Sequence, residues 1–191
     1  MNIPNEPFVE FNKIARLSRE IVVTEKIDGT NALVYITELG EIHAGSRTRW
    51  ITPEQDNYGF ARWVDGNKEE LLKLGPGKHF GEWWGQGVQR NYGLKEKRWS
   101  LFNTGKWSRN PILEDGQVYP PECCYVVPVL YRGPFIYDDI KIALDLLRIY
   151  GSVAAPSFMK PEGIVVYHTA ANFYFKKTIE KDEVPKTLIV K

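Results

Sequence analysis

The sequence lacks the features that mark secreted and membrane proteins. Its 191 residues contain two cysteines, and these are adjacent, Cys123 and Cys124, so they cannot bridge to each other without strain. A disulfide framework is therefore excluded. Residues 1–8 lack the apolar core of a signal peptide, and no apolar run approaches the roughly 20 residues that cross a bilayer. We expect a cytoplasmic protein with no membrane contact.

The sequence also lacks an excess of charge of either sign. With 25 basic and 24 acidic residues, the formal net charge is +1. Overall charge therefore does not mark a nucleic-acid-binding protein, and local clusters have to be considered instead. No low-complexity tract or internal repeat is present. At this length we expect a single domain over residues 1–191, long enough to bury a core.

What the sequence does contain is a charged segment between two strand-like segments. Residues 21–23 and 32–37 are rich in β-branched and aromatic residues, which favour strands, and the segment Lys26–Asn31 lies between them. A lysine held at an apolar strand end is partly desolvated, which favours its neutral, nucleophilic amine. Glu25 and Asp28 place carboxylates beside this amine. The alternative interpretation is an ordinary surface hairpin with a solvated lysine.

Five segments of the chain resemble, in order, the motifs of the covalent nucleotidyltransferases, which include ATP-dependent DNA ligases, RNA ligases and mRNA capping enzymes. The segment Lys26-Ile27-Asp28-Gly29 resembles the motif that carries their nucleotidyl-acceptor lysine. The later segments are Ser46–Arg47, Phe80–Gly85, Glu162–Val165 and Phe175–Lys177. Within this superfamily, the first and third segments are most similar to those of RNA ligase domains.

The resemblance implies an α+β fold, the ATP-grasp-like adenylation domain of nucleotidyltransferases. In this fold, two antiparallel sheets flanked by helices hold the nucleotide between them. DNA ligases and capping enzymes carry an additional oligonucleotide-binding (OB) barrel on the C-terminal side, and RNA ligases often carry a helical domain there. Because only about a dozen residues follow Thr178, we expect neither a C-terminal OB domain nor a helical one.

The resemblance also assigns roles to individual residues. Lys26 is the nucleophile that takes AMP from ATP, and Glu162 binds Mg²⁺ or Mn²⁺. Arg47 and Lys176 neutralise phosphate charge, because an arginine can fork two hydrogen bonds onto phosphate oxygens. The implied nucleotide-binding set is Glu25, Lys26, Asp28, Asn31, Arg47, Glu82, Phe102, Glu162, Lys176 and Lys177.

Two of these assignments come with departures from the family pattern. Phe102 is expected to stack on the adenine, but Asn103 follows it where the family often has an aspartate. Many ligases have Lys-x-Lys where this chain has Lys176, Lys177 and Thr178. Because successive strand residues point to opposite faces, only one of the two lysines can face the phosphate, and we expect it to be Lys176. Strand alternation puts Glu82 and Trp84 on one face. A carboxylate among aromatic rings can accept a hydrogen bond from a ribose hydroxyl, so Glu82 is expected to bind the nucleotide sugar.

A basic and aromatic segment between residues 86 and 110 is the best candidate in the sequence for a polynucleotide contact surface. It carries six arginines or lysines against a single acid, Glu96, with four aromatic residues interleaved. Cations can follow a phosphate backbone and aromatic rings can stack on bases. An ordinary solvated basic face is an equally good interpretation.

The remaining elements are predicted to have packing roles. A short helix is expected over residues 68–74 with Asn67 as its N-cap, and a single strand over residues 125–131. Helical spacing from residue 138 to residue 150 predicts a helix that buries Ile142, Leu146 and Ile149, among others. The first 20 residues are expected to pack on the edge of the domain.

These features together predict an ATP-dependent RNA ligase. Its partners would be ATP and RNA with 5′-phosphate and 3′-hydroxyl ends, while the sequence indicates nothing about oligomeric state. Two alternatives stay open: a DNA ligase or capping-type guanylyltransferase, and a module that binds nucleotide or RNA without chemistry.

Overall fold

The computed structural model describes residues 5–182, which form two β-sheets and three helices. The strands of the first half of the chain are β1 (Glu20–Lys26), β2 (Thr30–Ile36), β3 (Ile42–Gly45), β4 (Trp50–Ile51) and β5 (Gly77–Gly85). The later strands are β6 (Lys97–Leu101), β7 (Tyr125–Val126), β8 (Val129–Pro134), β9 (Gly163–His168) and β10 (Phe173–Thr178). The helices are α1 (Phe60–Gly66), α2 (Lys68–Leu72) and α3 (Tyr137–Tyr150).

The two sheets confirm the predicted α+β architecture. One has four strands in the order β10-β9-β1-β8, and the other has six in the order β4-β3-β2-β5-β6-β7. The pairings between these strands are antiparallel except the short parallel pair of β6 and β7. The strands β1 and β2 belong to different sheets. The segment between them therefore crosses from one sheet to the other, and the alternative of an ordinary hairpin at Lys26 is wrong.

The strand predicted over residues 125–131 is divided between the sheets. Its first part, β7, pairs with β6, and its second part, β8, pairs with β1. Pro128 lies at the division, where its carbonyl accepts a hydrogen bond from the backbone N–H of Glu25 at 3.0 Å. Proline cannot donate to a strand ladder, so it suits this point of transfer.

The helix α3 covers the four-stranded sheet, but with a different face from the predicted one. Its buried residues are Ile140, Ala143, Leu144 and Leu147, which pack with Ile21, Val23, Ile164 and Val166. The expected core residues Ile142, Leu146 and Ile149 are 48–63% exposed. The prediction of the helix is confirmed, whereas its buried face was wrong, because apolar residues follow both sides of this helix and spacing alone cannot choose between them.

The six-stranded sheet is covered on one face by α1, which the sequence analysis did not predict. Phe60 of α1 packs against Trp83 and Trp99 with ring centroids 5.3 and 5.8 Å apart, and Trp63 lies 5.2 Å from Trp83. The next helix, α2, is shorter than expected. Asn67 does not cap it with its side chain, which instead donates to the Trp63 carbonyl at 2.7 Å.

The segment before β1 does not pack on the domain edge as expected. Among the described residues of this segment, Phe8, Phe11 and Ile14 are 82–90% exposed. Its first four residues lie outside the described part of the chain.

Candidate active site

Lys26 is the last residue of β1 and forms an ion pair with Glu162. Its Nζ lies 2.5 Å from Glu162 Oε2, and the two side chains are 21% and 7% exposed. Lys26 is opposite Gly163 in the pairing of β1 with β9, so Glu162, the residue before β9, is brought beside it across 136 positions of sequence. The structure thus brings together two of the residues that were predicted to share a site.

Glu82 lies beside the same segment, on the other sheet. The pairing of β2 with β5 sets Glu82 opposite Asn31, and Glu82 Oε1 accepts a hydrogen bond from the Gly29 N–H at 3.0 Å. Burial raises the pKa of Glu82 to about 7, although the Lys26 charge and the Gly29 N–H oppose this shift. At neutral pH this carboxyl group is therefore present in both protonation states.

Gly29 is required by the close packing at this point. A Cβ on Gly29 would lie 2.4 Å from the Trp83 carbonyl oxygen and 2.7 Å from the Trp84 Cβ. Both neighbours belong to β5, so neither can rotate away. The glycine of the predicted acceptor motif thus lets the segment after Lys26 lie directly on the six-stranded sheet.

Asp28 is bound by protein groups rather than left facing a ligand. Arg90 Nε donates to Asp28 Oδ2 at 2.9 Å, and the same guanidinium donates to the Lys160 carbonyl at 3.0 Å. The Asp28 N–H donates to the Tyr92 hydroxyl at 2.8 Å. Asp28 was predicted to bind nucleotide, and in the structure its N–H and its Oδ2 are bound by protein groups. The sequence analysis missed Arg90 and Tyr92 as site residues, because a loop of several residues with positive φ brings them here and no motif marks it.

Glu25 points to the opposite face of β1 from Lys26. Its carboxylate is 1% exposed and accepts hydrogen bonds from the Ser152 hydroxyl at 2.6 Å and from the N–H groups of Val153 and Ala154, both at 2.9 Å. Burial raises its pKa, and these three donors oppose the shift. The expectation that this carboxylate lies near the amine is corrected: successive strand residues alternate in direction, so the Glu25 side chain holds the loop after α3.

The strand β10 presents Lys176 and Lys177 to opposite faces. Lys176 is opposite Val165, which is itself opposite Thr24 on β1. Thr24 is two residues from Lys26, so Lys176 shares the face of the sheet that carries Lys26. Lys177 is on the other face, and its Nζ lies 3.1 Å from Asp182.

The two sheets enclose a cavity of about 1070 Å³ next to Lys26, which is at the large end of the range for small-molecule sites. Phe102, immediately after β6, and Val165 on β9 line it from different sheets. Four of the predicted residues line it, Lys26, Asn31, Glu82 and Phe102. Glu25 borders it as well, although its carboxylate points to the other face of β1. Arg47 lies exposed on the turn between β3 and β4, outside the cavity wall.

The segment of residues 86–110 does not form the aromatic and basic surface that was one of its two interpretations. Tyr92, Trp99 and Trp107 are at most 4% exposed and have no free ring face for a base. Arg98 pairs with Glu96, and Arg109 donates to three backbone carbonyls at 2.6–3.2 Å. These side chains are used within the fold.

Within residues 5–182, no three His, Cys, Asp or Glu side chains come together as a metal site. None of the helices in this range is long and apolar enough to span a bilayer.

Comparison with known proteins gives one family and one fold. Residues 19–181 match the RNA ligase family. The structure is similar to a Naegleria gruberi RNA ligase mutant without ligand (TM-score 0.57, 22% identity, covering 84% of this chain and 50% of that one). Mutants of the same enzyme solved with ATP and Mn (TM-score 0.58, 21% identity, covering 86% and 51%) and with AMP and Mn (0.56, 22%, covering 84% and 49%) are also similar.

The chain thus spans about half the length of these structural relatives. A comparison with curated protein sequences returns no match. At these identities the structural similarity shows the fold, while the family match covers most of the sequence. This chain belongs to the RNA ligase family.

Proposed function

We propose that this protein is an ATP-dependent RNA ligase in which Lys26 carries the adenylate. The observation that supports this most directly is the placement of Lys26. Its amine pairs with Glu162 at 2.5 Å at one edge of a cavity large enough for a nucleotide, and Glu82 lines the same cavity from the other sheet. The structural relatives solved with ATP or AMP are consistent with such an occupant.

In the first step, the Lys26 Nζ lone pair attacks the α-phosphorus of ATP. The bond from that phosphorus to the oxygen bridging to the β-phosphate breaks, pyrophosphate leaves, and AMP remains on Nζ as a phosphoramidate. The nitrogen must give up its proton before or during attack, and Glu162 is the carboxylate in hydrogen-bond contact with it. Lys176, on the same sheet face, would offset negative charge on the phosphate.

The second and third steps move the adenylate and seal the strand. An oxygen of an RNA 5′-phosphate attacks the lysyl-AMP phosphorus and the P–N bond breaks, which leaves AMP joined to the RNA end. A 3′-hydroxyl then attacks the 5′-phosphate, a 3′–5′ phosphodiester forms, and AMP leaves. Arg47, on the turn after β3, and Asn31, opposite Glu82 on β2, would orient the RNA phosphate and the 3′ end.

Divalent metal would be held by Glu162 together with the nucleotide. Hard cations such as Mg²⁺ and Mn²⁺ prefer oxygen ligands, and nucleotide phosphates with one or two carboxylates commonly complete their coordination. The described residues fit this arrangement because they offer a buried carboxylate beside the cavity but no self-contained metal cluster. When bound, the cation would supply positive charge to the phosphate under attack.

Incubation with radiolabelled ATP and Mg²⁺ or Mn²⁺ tests the proposal. We expect the label to become covalently bound, with an intact-mass gain equal to AMP, and Lys26→Ala to abolish both. The matched control is Lys160→Ala, which removes an exposed lysine two residues from Glu162 and should leave labelling intact. Equal labelling of wild-type protein and Lys26→Ala would show that another residue is the nucleophile.

Two further comparisons distinguish the alternatives. Labelling by GTP alone would indicate a capping-type guanylyltransferase, and sealing of DNA but not RNA ends would indicate a DNA ligase. ATP binding without labelling in either metal would indicate a module that binds nucleotide and performs no chemistry.

A further inference from the structure

The outer part of the six-stranded sheet has one face that none of the helices α1, α2 and α3 covers. Along β2, β3 and β4, one set of alternate residues, including Val34, Ala44 and Ile51, is buried in the core with α1. The other set forms the uncovered face, and its side chains are Leu33, Tyr35, His43 and Trp50. The neighbouring strand β5 continues this face with Phe80 and Lys78, which lie opposite Leu33 and Tyr35.

Three aromatic rings are in mutual contact on this face. Tyr35 lies 6.0 Å from His43 and 5.9 Å from Trp50, and His43 lies 6.1 Å from Trp50, measured between ring centroids. Trp50 extends over Gly45, where an added Cβ would lie 3.4 Å from the indole Cε3. Trp50 is 55% exposed, and Phe80 nearby is 48% exposed. The rings are therefore supported from below by the sheet and open to solvent above.

Positive charge surrounds these rings. Arg47 and Arg49 are exposed on the turn that leads from β3 into Trp50, and Lys78 lies opposite Tyr35. Within residues 5–182, none of these three cations forms an ion pair with an acidic side chain, in contrast to Arg90 and Arg98. The face thus offers cations that the fold itself does not neutralise.

The face is continuous with the proposed catalytic cavity. Phe80 and Lys78 belong to both, since they also line the cavity. Leu33 is two residues along β2 from Asn31, which lies opposite Glu82. A chain leaving the cavity near Asn31 would meet Arg47 and then Trp50.

We infer that Trp50, His43 and Tyr35 form a stacking platform for unpaired RNA, and that the nucleotides following the 5′-phosphate lie on it. Exposed aromatic side chains on a sheet are a common way to bind single strands, because every base has a face that can stack. Arg47 and Arg49 would contact the phosphates between these bases. The assignment of this RNA as substrate rests on the proposed function, whereas binding to the platform does not require the chemistry.

Binding of a short unstructured RNA tests the platform. The probe is an eight-nucleotide RNA with a 5′-phosphate and a 3′-fluorophore, and the measurement is fluorescence anisotropy at fixed salt. We expect Trp50→Ala to weaken binding about tenfold, within the range for loss of one stacked base. Trp50→Phe should restore most of the affinity. Tyr150→Ala, which removes a 73% exposed ring from α3, should have no effect.

Transfer of AMP from the lysyl-AMP protein to the same RNA, at subsaturating RNA, should slow by the same factor in Trp50→Ala. Formation of the lysyl-AMP itself, which needs no RNA, is measured on the same samples to separate a folding defect from a loss of RNA binding. Unchanged RNA affinity in Trp50→Ala would overturn the inference, as would an equal loss with a fully paired nicked duplex. If wild-type protein forms no lysyl-AMP, the proposed function fails while the anisotropy measurement still tests the platform.

Discussion

The buried carboxyl group of Glu82 predicts a pH dependence of stability that one substitution should remove. Burial raises its pKa from 4.5 to about 7, and the unfolded chain should have the ordinary value. Glu82→Gln keeps an oxygen that can accept the hydrogen bond from the Gly29 N–H but cannot ionise. Comparing the two proteins therefore isolates the ionisation of this group.

The direction of the pH dependence follows from whether the folded or the unfolded state binds the proton more tightly. Below pH 4.5 the Glu82 carboxyl group is protonated in both states, so its ionisation does not affect the difference in stability between the two proteins. Between pH 4.5 and 7 the unfolded chain loses the proton first, so the stability of wild-type protein falls relative to that of Glu82→Gln as the pH rises. A shift of this size corresponds to about 3 kcal/mol in the free energy of unfolding, fully expressed above pH 7.

Urea denaturation followed by tryptophan fluorescence, without ATP or metal, measures this difference from pH 5 to pH 8. We expect Glu82→Gln to be the more stable protein at pH 8, with the advantage shrinking toward pH 5. The other ionisable groups are common to both proteins, so their contributions cancel in the difference. Glu69→Gln, on the exposed side of α2, serves as a control. Parallel profiles for wild-type protein and Glu82→Gln would refute the reasoning.

Three other substitutions test the geometry of the site. Gly29→Ala should destabilise the protein by roughly 2 kcal/mol or more in thermal or urea unfolding, since its Cβ would meet the β5 backbone, whereas Gly66→Ala has open space and should be neutral or slightly stabilising. Lys176→Ala should slow lysyl-AMP formation about 100-fold in a radiolabel time course, and Lys177→Ala, on the opposite strand face, much less; equal effects would contradict the register argument. Glu25→Ala should lower the free energy of unfolding by about 2 kcal/mol or more at pH 7, because it leaves the buried donors of Ser152, Val153 and Ala154 without an acceptor; unchanged stability would show that these bonds contribute little.

Sequence patterns were sufficient for the parts of the site that depend on short motifs and strand alternation. The proximity of Lys26 to Glu162 could be expected only through the family resemblance, because no local pattern relates residues 136 positions apart. The separation of Lys176 from Lys177 followed from the two-residue period of a strand, and the structure has that arrangement.

The features that the sequence did not reveal depend on tertiary packing. The helix α3 has apolar residues on both sides, so the choice of its buried face required knowing where the sheet lies. In the same way, the composition of residues 86–110 suggested an RNA-binding surface, but the two tryptophans of this segment are buried in the core. The stacking platform combines side chains from three strands, and Trp50 belongs to a strand of only two residues, too short for periodicity to identify.

In the predicted acceptor motif, each residue meets a separate structural requirement of the segment that crosses between the two sheets. Lys26 ends β1 in one sheet, and the next strand begins at Thr30 in the other. Between them, Asp28 is fixed by Arg90 and Tyr92 from the loop after β5, and Gly29 lies directly on β5. A crossing segment held at both points has little freedom, so the direction of the lysine is determined by rigid elements on both sides. The aspartate and glycine can thus be essential to the motif without touching the nucleotide.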